Sequence, residues 1–165
     1  MSLDNIQLSS LLVEKLYSKN LYNLNPSNEK NEVVQTGLIT SLGYNEKNIL
    51  IVVNEPNALH VQEDDLKLLT GILSACKLSL ADVCLVNADK NKAADFKTLN
   101  DGFNPSIVLL FGIEPSALDF PLQFPPFQLQ QYNGQQYLLS PSLNALALDK
   151  SLKKQLWDML QKIFN

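Results

Sequence analysis

Apolar residues recur along this chain in two rhythms, and the alternation between them sets the expected architecture. Ile49 to Val53, Val83 to Val86 and Ser106 to Phe111 are short, nearly continuous apolar runs, the third ending at Gly112. Runs of this length suit strands buried on both faces of a sheet. Between them the spacing changes. Glu63 to Cys76 carries Leu66, Leu69, Ile72 and Leu73 on one helical stripe, and Lys92 to Leu99 is a second helical segment. Strand, loop and helix repeating in this order imply right-handed crossovers and parallel pairing. Ser116 to Asp119 reads as a single helical turn.

The carboxyl-terminal stretch from Tyr137 to Phe164 supplies a closing strand, a Ser-Pro-Ser turn and the longest helix. Leu152, Leu156, Met159 and Ile163 repeat at helical spacing, and Trp157, Leu160 and Phe164 widen the stripe to the breadth needed for packing on a sheet. Asp149 is placed to cap this helix. Upstream, Gln128 to Tyr132 and Gln135 to Leu139 flank Asn133-Gly134, the dipeptide best suited to a two-residue hairpin turn. Phe120 to Phe127 contains Pro121, Pro125 and Pro126, so it is a connection with an unusual apolar load. A flap over the edge of the core is a simpler use of that load than a docking surface. Val33 to Leu42 fits a short helical or extended piece leading to Gly43. The fold class that follows is α/β: three layers, α/β/α, around a mostly parallel central sheet of about four strands.

Residues 1–31 stand apart from the α/β domain at 32–165. Gln7 to Tyr22 forms a predicted amphipathic helix with Leu8, Leu11, Leu12, Leu16 and Tyr17 on one side, opposite Ser9, Glu14, Lys15 and Lys19. The polar stretch Asn23 to Glu32, with Pro26, reads as a linker. Such a helix either covers its own domain, the commoner arrangement, or is held out for a partner.

Composition narrows the function classes. The formal net charge is -4 and all 13 basic residues are lysine. The guanidinium group that reads guanine edges and grips phosphates in two-point contacts is absent, which argues against strong autonomous duplex binding and leaves at most weak or indirect nucleic-acid contact. Cys76 and Cys84 are too few for a disulfide framework and sit in apolar surroundings, where cysteine acts as a small hydrophobe. The chain has no apolar run long enough to span a bilayer and no basic-then-apolar leader, so a soluble cytoplasmic protein with no membrane attachment is expected. One histidine, no Gly-rich phosphate loop and no paired-cysteine spacing leave no metal or cofactor motif.

What polar chemistry exists gathers near strand ends. His60, Asn54 and Glu55 follow the first core strand, where the carboxyl ends of parallel strands make clefts. A lone loop histidine is more often a hydrogen-bonded or solvated residue than a base. Asp64 and Asp65 open the next helix, where carboxylates favour the helix dipole. Ser140-Pro141-Ser142 suits helix capping, with no histidine nearby in sequence to activate a serine. Lys150, Lys153 and Lys154 cluster at the start of the last helix, against the dipole's preference, as a solvated face or an anion-attracting patch.

The order of these features carries a resemblance. A buried strand ending in Asn54-Glu55-Pro56, a strand Ile107 to Phe111 capped by Gly112, and Leu139-Ser140-Pro141-Ser142-Leu143 followed by Leu156-Trp157 resemble the uracil-DNA glycosylase-like fold over about Asn48 to Phe164. In its enzymes the loop after the first strand carries a residue that positions water, and a His-Pro-Ser turn after the last strand stabilises the departing base. Here Ser140 stands where that histidine would, and Asn54-Glu55-Pro56-Asn57 offers no match to the water-activating aspartate. Loss of the histidine removes a principal electrostatic contribution to base excision. A non-catalytic branch is closer: Val52 to Leu59, Ser140-Pro141-Ser142-Leu143 and Leu156-Trp157 resemble the psi subunit family of bacterial DNA polymerase III. That resemblance implies an adaptor that binds the chi subunit and attaches to a clamp-loader subunit through an amphipathic N-terminal segment, represented here by Leu12, Leu16, Tyr17, Leu21 and Tyr22. The competing expectations are a base-excision enzyme using Asn54, Glu55 and His60, and a nucleic-acid-binding module without chemistry.

Overall fold

A computed structural model describes residues 33–36, 39–92 and 94–164. The described strands form one sheet of seven, β1 (Val33–Thr36), β2 (Ile39–Leu42), β3 (Ile49–Val53), β4 (Val83–Asn87), β5 (Ile107–Phe111), β6 (Leu129–Tyr132) and β7 (Gln135–Ser140), in the order β1-β2-β4-β3-β5-β7-β6. The four central strands β4, β3, β5 and β7 are parallel, in agreement with the alternating pattern. The sheet is wider and more mixed than the four strands expected, because the antiparallel β1–β2 hairpin extends one edge and β6 the other. Within Val33 to Leu42, open between helix and strand in the sequence, Val33–Thr36 and Ile39–Leu42 are these two paired strands. Asn133-Gly134 turns between β6 and β7 as predicted, with both residues left-handed.

Four α-helices are described: α1 (Glu63–Ala75), α2 (Phe96–Phe103), α3 (Leu143–Leu148) and α4 (Lys150–Phe164). The connection β3-α1-β4 moves one way across the sheet, and β4-α2-β5 passes back over β3 with its helix on the opposite face. A constant crossover hand requires that switch of face when the direction reverses. One face buries Ile49, Ile51, Val53, Leu85 and Leu109 beneath α1, α3 and α4. The other buries Leu50, Val52, Val86, Val108 and Leu110. Alternate residues of each central strand thus serve two cores, which is why the runs are continuous rather than alternating.

Among the described residues the second face has α2 as its one α-helix, and the Pro- and Phe-rich connection completes it. Phe120 and Phe124 are buried there, and the Phe120 ring lies 4.7 Å from both Phe96 and Tyr137. The flap expected from the prolines is therefore part of the core. The preceding turn at Pro115–Leu118 is a single 3-10 turn, as anticipated.

Two helix boundaries depend on side chains. Ser142 Oγ accepts from Ala145 N at 3.2 Å and starts α3. Asp149 Oδ1 accepts from Ser151 N at 2.8 Å and starts α4, the capping role assigned from sequence. The second helical segment runs later than expected, from Phe96, because Asp95 caps it through Thr98 N at 2.7 Å. Cys84 is buried in the core and its thiol is pushed up to about 11 by that burial, while Cys76 packs at the margin of the other core. Both behave as small hydrophobes. Among the described residues no helix is long and apolar enough to cross a membrane.

Candidate functional site

The strand order reverses between β3 and β5, and the carboxyl edge beside that reversal is the usual ligand position in open α/β sheets. Asn54-Glu55-Pro56 leaves β3 there, Gly112 leaves β5 and Ser140-Pro141-Ser142 leaves β7. Residues more than 80 positions apart in the sequence thus share one edge, the outer two segments separated by two strand spacings, or about 10 Å. Gly112 N donates to Ser140 O at 2.9 Å. A Cβ on Gly112 would lie 2.8 Å from Ser142 Cβ, so this close approach of loop and turn needs glycine.

Several polar groups at this edge, on Asn87, Glu55, Ser140 and Ser142, are engaged by the chain itself. Asn87, at the end of β4, is completely buried, and its Nδ2 donates to Glu55 O at 2.7 Å, Ala58 O at 2.9 Å and Leu59 O at 3.2 Å. Its Oδ1 accepts from Glu55 N at 2.9 Å and Asp89 N at 3.2 Å. One amide side chain therefore holds the loop after β3 in place. Lys90 Nζ adds a bond to Pro56 O at 2.7 Å, and Glu55 Oε1 accepts from Asn57 N at 2.8 Å. Ser140 is buried, its Oγ donating back to Pro141 O at 3.1 Å. Asn54 is exposed.

His60 differs from its neighbours. It is half-buried, yet both ring nitrogens are shielded from solvent and lack a hydrogen-bond partner. Burial lowers its pKa, because an imidazolium without a partner loses hydration and gains nothing in return. Asp65, in the first turn of α1, is raised by burial and by the neighbouring carboxylates Glu55 and Asp64. The lowered His60 pKa makes the unfolded chain bind more protons than the folded one below the ordinary value of 6.5, so this contribution to stability is complete above pH 6.5 and declines as the pH falls below it. Replacing His60 with Gln is expected to flatten that decline. Urea midpoints of both proteins through the mildly acid range check it; parallel curves would reject it.

A second surface lies between α1 and α4. Both helices start at the carboxyl edge of the sheet and run toward its amino edge, and a cleft of about 360 Å³ opens between them. Trp157, assigned to the core stripe on helical spacing, lines this cleft, while the buried positions of α4 are Leu156 and Leu160. Lys153 lines the same cleft; Lys150 and Lys154 are exposed on the same first turn.

The structure brings Asn54, Glu55, Pro56, Ser140, Pro141 and Ser142 to one edge, and places Lys150, Lys153 and Lys154 together on a helix start. The proposed partner-binding residues Leu12, Leu16, Tyr17, Leu21 and Tyr22 lie outside the described residues. Asn87, like Asn54, is a polar residue at the end of an apolar run, and that pattern is the sequence signal by which it is found. No known protein family matches this chain, and no curated protein is similar to it.

Proposed function

We propose that this protein is a non-catalytic adaptor with a uracil-DNA glycosylase-like fold, acting like the psi subunit in the clamp-loader complex of a bacterial replicative DNA polymerase III. The observation that carries the reading is the commitment of Asn87, Glu55, Ser140 and Ser142 at the carboxyl edge, each of which directs polar side-chain atoms to the chain's own backbone. A base-excision site needs a polar group free to position water and a donor aimed at the leaving base. Residues already committed to holding loops give up stabilising bonds to do either. The loop after the first parallel strand and the turn after the last lie at one edge, the arrangement that the resemblance to those enzymes calls for.

The test is capture of purified clamp-loader subunits and a chi-like protein by the full chain. Retention of a clamp-loader subunit by the parent chain, and at least about tenfold weaker retention by a Leu12→Glu, Leu16→Glu variant, is the expected result, since each charge would enter an apolar contact. Failure of the parent chain to hold either partner removes the reading. The unpartnered nitrogens of His60 favour one alternative, a base-excision enzyme with an altered site. Release of uracil from single- or double-stranded DNA, lost on His60→Gln, would establish that alternative in its place.

A further inference from the structure

The α1–α4 cleft has a built polarity. Its walls are Leu68 and Ile72 from α1 and Leu156, Trp157 and Leu160 from α4, while Lys67 and Lys153 line it nearest the two helix starts. Lys67 is paired with Glu63 at 3.2 Å on the exposed surface, but among the described residues Lys150, Lys153 and Lys154 have no carboxylate partner. Three unpaired cations within the first five residues of a helix oppose its dipole. Asp149 caps that helix start, but the charged side chains lining the cleft itself are Lys67 and Lys153, which a partner's carboxylates would meet.

Gly71 gives an independent indication. It lies inside α1, lines the cleft and is exposed, and a Cβ built on it meets nothing within 4 Å. Glycine inside a helix is destabilising relative to alanine. No close packing or left-handed backbone at this position requires it. Its effect is to leave the cleft open where any larger side chain would enter it.

We propose that this cleft binds an amphipathic helix of a partner protein, with apolar anchors along its length and carboxylates at the end that meets Lys67 and Lys153, beside the exposed Lys154. The inference rests on the adaptor reading and gives it a contact surface. From Lys67 to Ala75 the cleft follows α1 for about 12 Å, which matches about two turns of a partner helix and anchors at i, i+3 or i+4, and i+7. The predominantly apolar walls favour such a helix over a nucleic-acid strand, whose phosphates would engage the lysines and leave Trp157 and Ile72 without apolar partners.

Trp157 is the only tryptophan, so its fluorescence reports on the cleft directly. The probe is an amphipathic peptide of about 16 residues, leucines on one face and glutamates clustered at one end, compared with the same peptide carrying lysines instead. The acidic peptide is expected to shift Trp157 emission to the blue and to bind the full chain at least about tenfold more tightly than the basic one. Gly71→Leu, which fills the cleft while improving helix propensity, should keep or raise the melting temperature and weaken binding about tenfold; Lys153→Glu with Lys154→Glu should do the same to binding. Equal affinity for the two peptides, undiminished binding by a folded Gly71→Leu protein, or tighter binding of a single-stranded oligonucleotide than of the acidic peptide by these lysines would each overturn the proposal. Clamp-loader capture separates the two readings. Capture unaffected by Gly71→Leu leaves the adaptor and removes the cleft, whereas peptide binding without capture of any clamp-loader subunit or chi-like protein leaves the cleft and removes the adaptor.

Discussion

Replacing Gly43 with alanine is expected to destabilise the protein by about 3 kcal/mol or more, combining a left-handed backbone with a collision against main chain. Gly43 follows β2 with φ of +103°, and an added Cβ would lie 2.3 Å from Val83 O and 2.5 Å from Leu80 O. Neither oxygen belongs to a flexible side chain that could turn away. The same segment is joined to the connection before β4 by Asn45 N to Val83 O, Glu46 N to Ala81 O and Lys47 N to Asp82 O, each 3.0 Å. Relief of the collision would have to separate these strands of backbone, and β2 joins the sheet only through β4 on that side. Gly134→Ala supplies the control. Its φ is +78°, but an added Cβ there meets nothing within 4 Å, so only the backbone preference of about 1 kcal/mol should be lost. Urea denaturation of the two variants measures the difference. Equal losses would mean that the crowding at Gly43 is without consequence.

Asn87→Ala is expected to cost about 3 kcal/mol, because it leaves buried backbone groups of a loop without partners while creating a small void. Glu55 is held at both N–H and C=O by the same amide, a two-point grip that no neighbouring side chain can reproduce. Asn91 extends the arrangement to β2: its Nδ2 donates to Asn87 O at 2.8 Å, and its Oδ1 accepts from Thr40 N at 2.7 Å. Asn54→Ala, at an exposed position in the same loop, should change stability by no more than about 0.5 kcal/mol. Denaturation gives the two energies, and hydrogen exchange at the Glu55 amide localises the effect. Faster exchange there in Asn87→Ala, at a pH and urea concentration where both proteins remain folded, identifies the loop as the part released. Unchanged exchange would show that Asn87 does not secure the loop.

The two asparagines show why the site was only partly legible. Asn54 and Asn87 both end apolar runs, and nothing local separates them. In the folded chain one is exposed and the other completely buried, because β4 lies beside β3 and the loop after β3 folds over its end. Trp157 teaches the same lesson on a helix. Spacing put it beside the core stripe, but the stripe's width depends on how α4 is rotated over the sheet and how near α1 stands. The cleft between those helices, and hence the significance of Gly71, has no signature within either segment.

The amino-acid order determined what is local: continuous apolar runs that bury both faces of a strand, prolines that prevent helix and central strand between Phe120 and Phe127, Asn133-Gly134 as a tight turn, and Asp149 as a cap. Each depends on dihedral preference or on neighbours within a few residues. Tertiary structure decided the rest. It added the β1–β2 hairpin to the sheet edge, brought Asn54 and Ser140 to the same edge of the sheet, buried Asn87 and opened the α1–α4 cleft. These outcomes depend on which surfaces meet across long sequence separations, and the free energy of such meetings belongs to pairs of elements rather than to either one.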